Sequence, residues 1–195
     1  MIDRGPATED EMISAFLRAE IYATRYPQLH NFLRQLGINR SVVDKPNPAD
    51  PAENTARRTL LQYRGYCSRE FLFARFPFDV EWRRVLLEPR DFETMRYAKH
   101  PTWTILSGGT RLVIDGARNF SQRPVTPDTD HIIPIAEAIR SGEHFPELIA
   151  VTATDGSLIL VEGHSRGTAY VLEQYRGTVE ALVGSSESMP SWAFY

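Results

Sequence analysis

The sequence predicts an α+β fold: a small mixed sheet with flanking helices over residues 80–195, preceded by a helical extension over residues 1–79. Three observations predict it. Helix start and stop signals dominate the first 65 residues. A strong hairpin signal stands at Asp155-Gly156. After it come, in order, a buried-type strand, a tight glycine turn, a helical stretch and a last apolar strand. With 195 residues, 42% hydrophobic and 24% charged, the chain can bury a core without disulfides or metals, which argues against a disordered protein.

Thr8-Glu9-Asp10-Glu11 is a capping box, in which Thr8 and Glu11 satisfy each other's amides. Ile13, Phe16, Leu17 and Ile21 recur at helical spacing behind it, so an amphipathic helix is expected to about Arg25. Pro27 suits the first position of a second helix, with Leu29, Phe32, Leu33 and Leu36 on one face and Gly37 as its stop. Three prolines between Asp44 and Asn54 make a loop, and Asp50-Pro51-Ala52-Glu53 opens a third helix that ends near Gly65. The aromatics Tyr66, Phe71, Phe73, Phe76 and Phe78 are expected to pack this helical part onto the rest of the chain.

Asp91 is read as the cap of a short helix through Tyr97. Trp103 to Leu106 and Arg111 to Ile114 are read as the strands of a hairpin turning at Ser107-Gly108-Gly109. Asp130 precedes a helix through about Arg140, with Pro134 tolerated in its first turn. Residues 148–154 and 157–161 form the clearest hairpin. Glu162 to Arg166 turn the chain into a helix to about Tyr175, Gly177 stops it, and residues 179–183 make a last strand. Trp192, Phe194 and Tyr195 are expected to form a packed tail.

Net charge is −3, and every basic residue except Lys45 and Lys99 is arginine. No concentrated basic face is visible, which disfavours a dedicated nucleic-acid binder. A single cysteine, Cys67, excludes an internal disulfide and a cysteine-based metal cluster. No run approaches about 18 apolar residues and no signal-type segment opens the chain, so a soluble, cytoplasmic protein with no membrane partner is expected. Oligomeric state is left open, a homodimer included.

The stretch Leu158-Ile159-Leu160-Val161-Glu162-Gly163-His164-Ser165-Arg166 ends a strand, reverses at glycine and starts a helix. The first amides of such a helix lack intrahelical partners, and the helix dipole adds positive charge at the same point. Gly163 allows close backbone approach, while Ser165 and Arg166 add a hydroxyl and a guanidinium. Position alone makes this an anion site.

Residues Glu137 to Val183 resemble the ParB/sulfiredoxin superfamily. The resemblance rests on Ala138-Ile139-Arg140, then Phe145-Pro146-Glu147-Leu148-Ile149-Ala150-Val151, then the hairpin, the turn Gly163-His164-Ser165-Arg166, the helix segment Thr168-Ala169-Tyr170 and the strand Thr178-Val179-Glu180-Ala181-Leu182-Val183. His164 stands where sulfiredoxins carry their cysteine, and His164-Ser165 breaks the charged turn of ParB proteins. The turn looks most like that of the free-serine kinases. The resemblance implies a nucleotide (ATP, ADP or CTP, with Mg²⁺) on the turn and a small hydroxylated metabolite beside it. It implies a phosphotransferase or NTPase. The alternative is a non-catalytic nucleotide-sensing or protein-interaction module, with the helical extension as its interface.

In this scheme Gly163, His164, Ser165 and Arg166 hold phosphate oxygens, and Glu162, His164 and Arg166 are the catalytic candidates. Each has a plainer role open to it. Arg166 and Glu162 can pair with each other, Ser165 can cap the helix, and His164 can tie its ring to the backbone. Glu162 is otherwise a general base or a magnesium ligand. Arg118 and Asn119 either wall the pocket or belong to a plain turn after Asp115-Gly116. A second acidic base is implied, with Asp115 and Glu137 as candidates. His131 and His144 show no metal spacing, no residue is assigned to a resident metal, and Trp82, Trp103 and the phenylalanines are read as core.

Overall fold

The computed structural model describes residues 1–21, 27–122 and 129–195. Among these, six strands lie in one mixed sheet: β1 (Ile2–Ala7), β2 (Glu81–Leu87), β3 (Arg96–Tyr97), β4 (Leu148–Thr152), β5 (Leu158–Glu162) and β6 (Val179–Ser185). Their order is β1-β2-β6-β4-β5-β3. The β1/β2, β2/β6 and β4/β5 pairs are antiparallel, and β4/β6 and β3/β5 are parallel. The protein is α+β, as its sequence predicts.

Both faces of the sheet are covered, which is why β4 and β5 read as unbroken apolar runs rather than as an alternation. Ile149, Val151, Ile159 and Val161 point into a core shared with α1 (Glu9–Ile21), α2 (Pro27–Leu36), α3 (Ser41–Asp44) and α4 (Pro51–Leu61). Leu148, Ala150, Leu158 and Leu160 point to the other face. There they meet α5 (Asp91–Thr94), α6 (Pro101–Leu106), α7 (Val113–Phe120), α8 (Ile132–Arg140) and α9 (His164–Leu172). No helix among the described residues is long and apolar enough to cross a membrane.

The amino-terminal signals act as the sequence implies. The Thr8 amide donates to the Glu11 carboxylate at 2.7 Å, and the Glu11 amide donates to the Thr8 hydroxyl at 3.2 Å. Asp50 accepts from the amides of Ala52 and Glu53 at 2.8 and 3.3 Å. Gly37 and Gly65 take the left-handed conformation that ends their helices. The expected continuation of the first helix to Arg25 lies outside the described residues.

β1 and β2 carry no signal in the sequence. β1 contains Gly5 and Pro6, both poor strand formers, and is tolerated because it is an edge strand with an irregular register between Asp3 and Gly5. β2 interrupts its apolar positions with Arg83 and Arg84, which reach across to Asp3 and Glu11 on the neighbouring elements. The segment before residue 80 therefore supplies an edge strand as well as helices.

The hairpin expected over residues 103–114 does not form. Its two arms are the helices α6 and α7. Pro101 starts α6, and Gly108 and Gly109 end it: the Gly109 amide reaches back to the Thr104 carbonyl at 2.8 Å, a helix-terminating bond rather than a strand reversal. In α7, Val113, Gly116, Ala117 and Phe120 are buried at helical spacing, and that period outweighs the β preference of the individual residues. Gly116 lies so close to the Tyr97 ring that any side chain there would collide with it.

Two helix ends also differ. The helix expected to be capped by Asp91 has Arg90 at its cap position with no side-chain cap bond and stops at Thr94, and Arg96 and Tyr97 join the sheet beside β5. α9 stops at Leu172 rather than near Tyr175, because Gln174 takes the left-handed conformation and the Tyr175 amide bonds back to the Tyr170 carbonyl at 3.0 Å.

Candidate functional site

Glu162 ends the buried strand β5, and Gly163 (φ +97°) turns the chain so that α9 begins at His164. A side chain at Gly163 would strike Leu148 and crowd the Arg166 guanidinium. Only glycine meets both demands, a positive φ and that close approach.

Successive residues of a helix start point in different directions, and the turn splits accordingly. Arg166 is buried and faces inward: one amino group bonds Glu162 and the other bonds the carbonyls of Pro146 and Glu147. Ser165 is also buried, and its hydroxyl meets His131 Nε2 at 2.5 Å, joining α9 to the start of α8. His131 Nδ1 lies 3.7 Å from Asp130. His164 stacks on Trp103 (centroids 5.2 Å apart, planes 13° apart) and lies 6.0 Å from the Tyr97 ring.

The Ala98 amide donates to His164 Nε2 at 3.3 Å. An amide can only donate, so Nε2 presents a lone pair and the ring carries its proton on Nδ1. Below it, the buried Tyr97 hydroxyl meets Thr168 Oγ1 at 2.7 Å, and Thr168 donates to the His164 carbonyl at 2.8 Å. Burial pushes the Tyr97 phenol above its usual range, so this network stays protonated and fixed.

A cavity of about 400 Å³ opens beside the turn, within the size range of small-molecule sites. Its floor holds Glu162, His164 and Trp103, together with Glu20 from α1. Glu20 is almost wholly buried and lies 3.3 Å from Arg64, which also lines the cavity. Phe71, His100 and Phe194 form the rim. Phe194 is held there by the carboxyl-terminal tail, whose Phe194 carbonyl accepts from the Lys99 amide at 2.8 Å. A smaller cavity of about 230 Å³, between Phe92, Tyr170 and Tyr175, has none of the turn's residues in its wall.

Of the residues singled out in the sequence, the cavity brings together Glu162, His164, Trp103, Phe71 and Phe194; Phe71 and Phe78, expected to pack, are instead exposed. Trp103, expected in the core, is buried there while also showing an edge to the cavity. Ser165 and Arg166 sit behind the cavity wall. Arg118 is on α7, exposed, and pairs with Asp115 at 2.9 Å, while Asp115 also accepts from Thr110. Asn119 donates to the Leu106 carbonyl at 2.9 Å. Glu137 is exposed on α8 and His144 is exposed before β4.

Glu20, Arg64 and His131 join the site without any motif to mark them. Glu20 alone has a readable signal: it continues the buried stripe of Ile13, Phe16 and Leu17, where an acid has no packing reason to be. Among the described residues, no three histidine, cysteine or acidic side chains converge as a metal cage. No known family model matches the chain, no characterised protein matches its sequence, and no solved structure matches its fold.

Proposed function

We propose that this chain is a ParB/sulfiredoxin-like protein that binds a nucleotide in the cavity beside the 162–166 turn and transfers its terminal phosphoryl group to a small hydroxylated metabolite or to water. One observation carries the proposal. The carboxylate that ends β5 and the histidine that starts α9 share one ligand-sized cavity with a second buried acid, Glu20.

The nucleotide's phosphates lie toward the positive end of α9, with the His164 Nδ1–H and Arg64 as donors. Arg166 is a positioning residue: it bonds Glu162 Oε2 and so fixes the carboxylate beside the cavity. In the transfer step the acceptor oxygen forms its bond to the terminal phosphorus as the bond to the bridging oxygen breaks. The hydroxyl proton passes to Glu162, and the shortened nucleotide leaves. Glu20 is the cavity carboxylate that would hold a magnesium ion, which would neutralise charge on the phosphates. His164, neutral with Nε2 occupied by Ala98, serves as a donor and not as a base.

A second reading, a nucleotide sensor without turnover, is favoured by the Glu162–Arg166 pair, because the carboxylate already has a buried charge partner. Single-turnover phosphate release separates the two. With ATP and magnesium, the wild type is expected to release phosphate, and Glu162→Gln is expected to bind ATP equally well while releasing none. Tight binding with no release by either protein contradicts the transferase and leaves the sensor.

A further inference from the structure

The loop between Gly65 and Phe76 is held at several points. The Glu70 amide bonds the Gly65 carbonyl at 3.2 Å, and a side chain at Gly65 would collide with the Glu70 backbone. Phe73 is buried among Phe16, Tyr66 and Phe76. The Trp192 indole N–H donates to the Leu72 carbonyl at 2.7 Å. Between these anchors four non-glycine residues, Cys67, Arg69, Phe71 and Arg75, adopt left-handed backbone conformations. Such residues cost free energy and persist only where the surroundings impose them, most often at ligand sites.

Phe71 is the extreme case. Its φ is +45°, its neighbours Leu72 and Phe73 are fixed, and the result is to swing a large aromatic ring out to 69% exposure at the cavity rim. Neither half of this arrangement stabilises the fold, since the backbone is strained and the ring stays in water. The cavity is graded in the same sense. Its polar groups Glu20, Glu162 and His164 lie at the floor beside Trp103, and its exposed rim holds Phe71 and the stacked pair His100 and Phe194 (centroids 6.4 Å apart).

We infer that Phe71 is the specificity-determining platform of the cavity, stacking on a planar heteroaromatic ring of the ligand while that ligand's charged end lies at the floor. This rests on the nucleotide-binding proposal and deepens it: the ring is the base, and the segment before residue 80 reads it. A ring stacked on an aromatic face contributes enough for about a tenfold change in affinity.

Calorimetry on the full chain, with ATP and with inorganic tripolyphosphate as probes, tests this. The wild type is expected to bind ATP about tenfold more tightly than tripolyphosphate. Phe71→Ala is expected to lose that advantage without altering tripolyphosphate binding, and Phe71→Trp to keep it. Phe71→Gly removes the ring together with the left-handed strain, so it gives the same readout in a chain that folds at least as well. Unchanged ATP affinity in the alanine and glycine variants overturns the role of Phe71 and leaves nucleotide binding standing. Absence of binding of either probe to the wild type overturns both.

Discussion

Arg166 and Glu162 are both nearly buried, four residues apart, and each is the other's charge partner. A buried pair gives little net stability, but breaking it strands a charge in a poor solvent. Arg166→Met is therefore expected to destabilise the protein by about 3–5 kcal/mol in urea unfolding, and adding Glu162→Gln should recover much of that loss. A double variant no more stable than the single would show that the carbonyls of Pro146 and Glu147, not Glu162, govern the arginine. The spacing of this pair is legible in the sequence, as is the glycine that turns the chain. That the arginine faces inward is not, because it depends on where the carbonyls before β4 come to lie. Glu20 illustrates the same limit. Its place on an apolar stripe is visible locally, but its meeting with Arg64 and the α9 turn is set by a helix docking on a sheet whose strands come from distant parts of the chain.

At the scale of elements, the hairpin β4–β5 behaves as its turn residues dictate. Asp155 accepts from the Ser157 hydroxyl at 2.6 Å and amide at 3.0 Å and pairs with Arg96 on the neighbouring β3. These bonds hold its carboxyl down to about 2, against an ordinary 3.8. A depressed carboxyl contributes stability that is fully present above the unfolded value and is lost as pH falls through the folded one. Between pH 4 and pH 2 the melting temperature of the wild type is thus expected to fall more steeply than that of Asp155→Asn. Parallel curves would show that the turn contributes nothing to this dependence. The elements legible in the sequence are those with chemical punctuation, such as Thr8 with Glu11, Asp50 with Pro51, and Asp155 with Gly156. Those that depart from their sequence signal, α6 and α7, contain Trp103, Thr104, Ile105, Val113 and Ile114, whose β preference is overridden by burial at helical spacing and by the close contact of Gly116 with Tyr97.

For the whole molecule, the sheet is the shared wall of two cores, and the helices before residue 80 cover one side of it. A fragment beginning at residue 80 would expose Ile149, Val151, Ile159, Val161 and Leu182 to water. It is expected to aggregate or to lose its cooperative thermal transition in circular dichroism, whereas a folded, soluble fragment would contradict the shared core. The same layering brings Glu20, Arg64 and Phe71 into one cavity with Glu162 and His164, so the site draws on both parts of the chain. Nucleotide binding in that shared cavity is tested most directly by thermal shift of the intact protein with ATP, ADP, CTP and GTP in the presence of magnesium. A ligand at a hundredfold excess over its Kd adds about 2.7 kcal/mol, which for a chain of this length raises Tm by roughly 5–10 °C. At least one nucleotide is expected to give such a rise, and a Tm unmoved by all four would contradict the account.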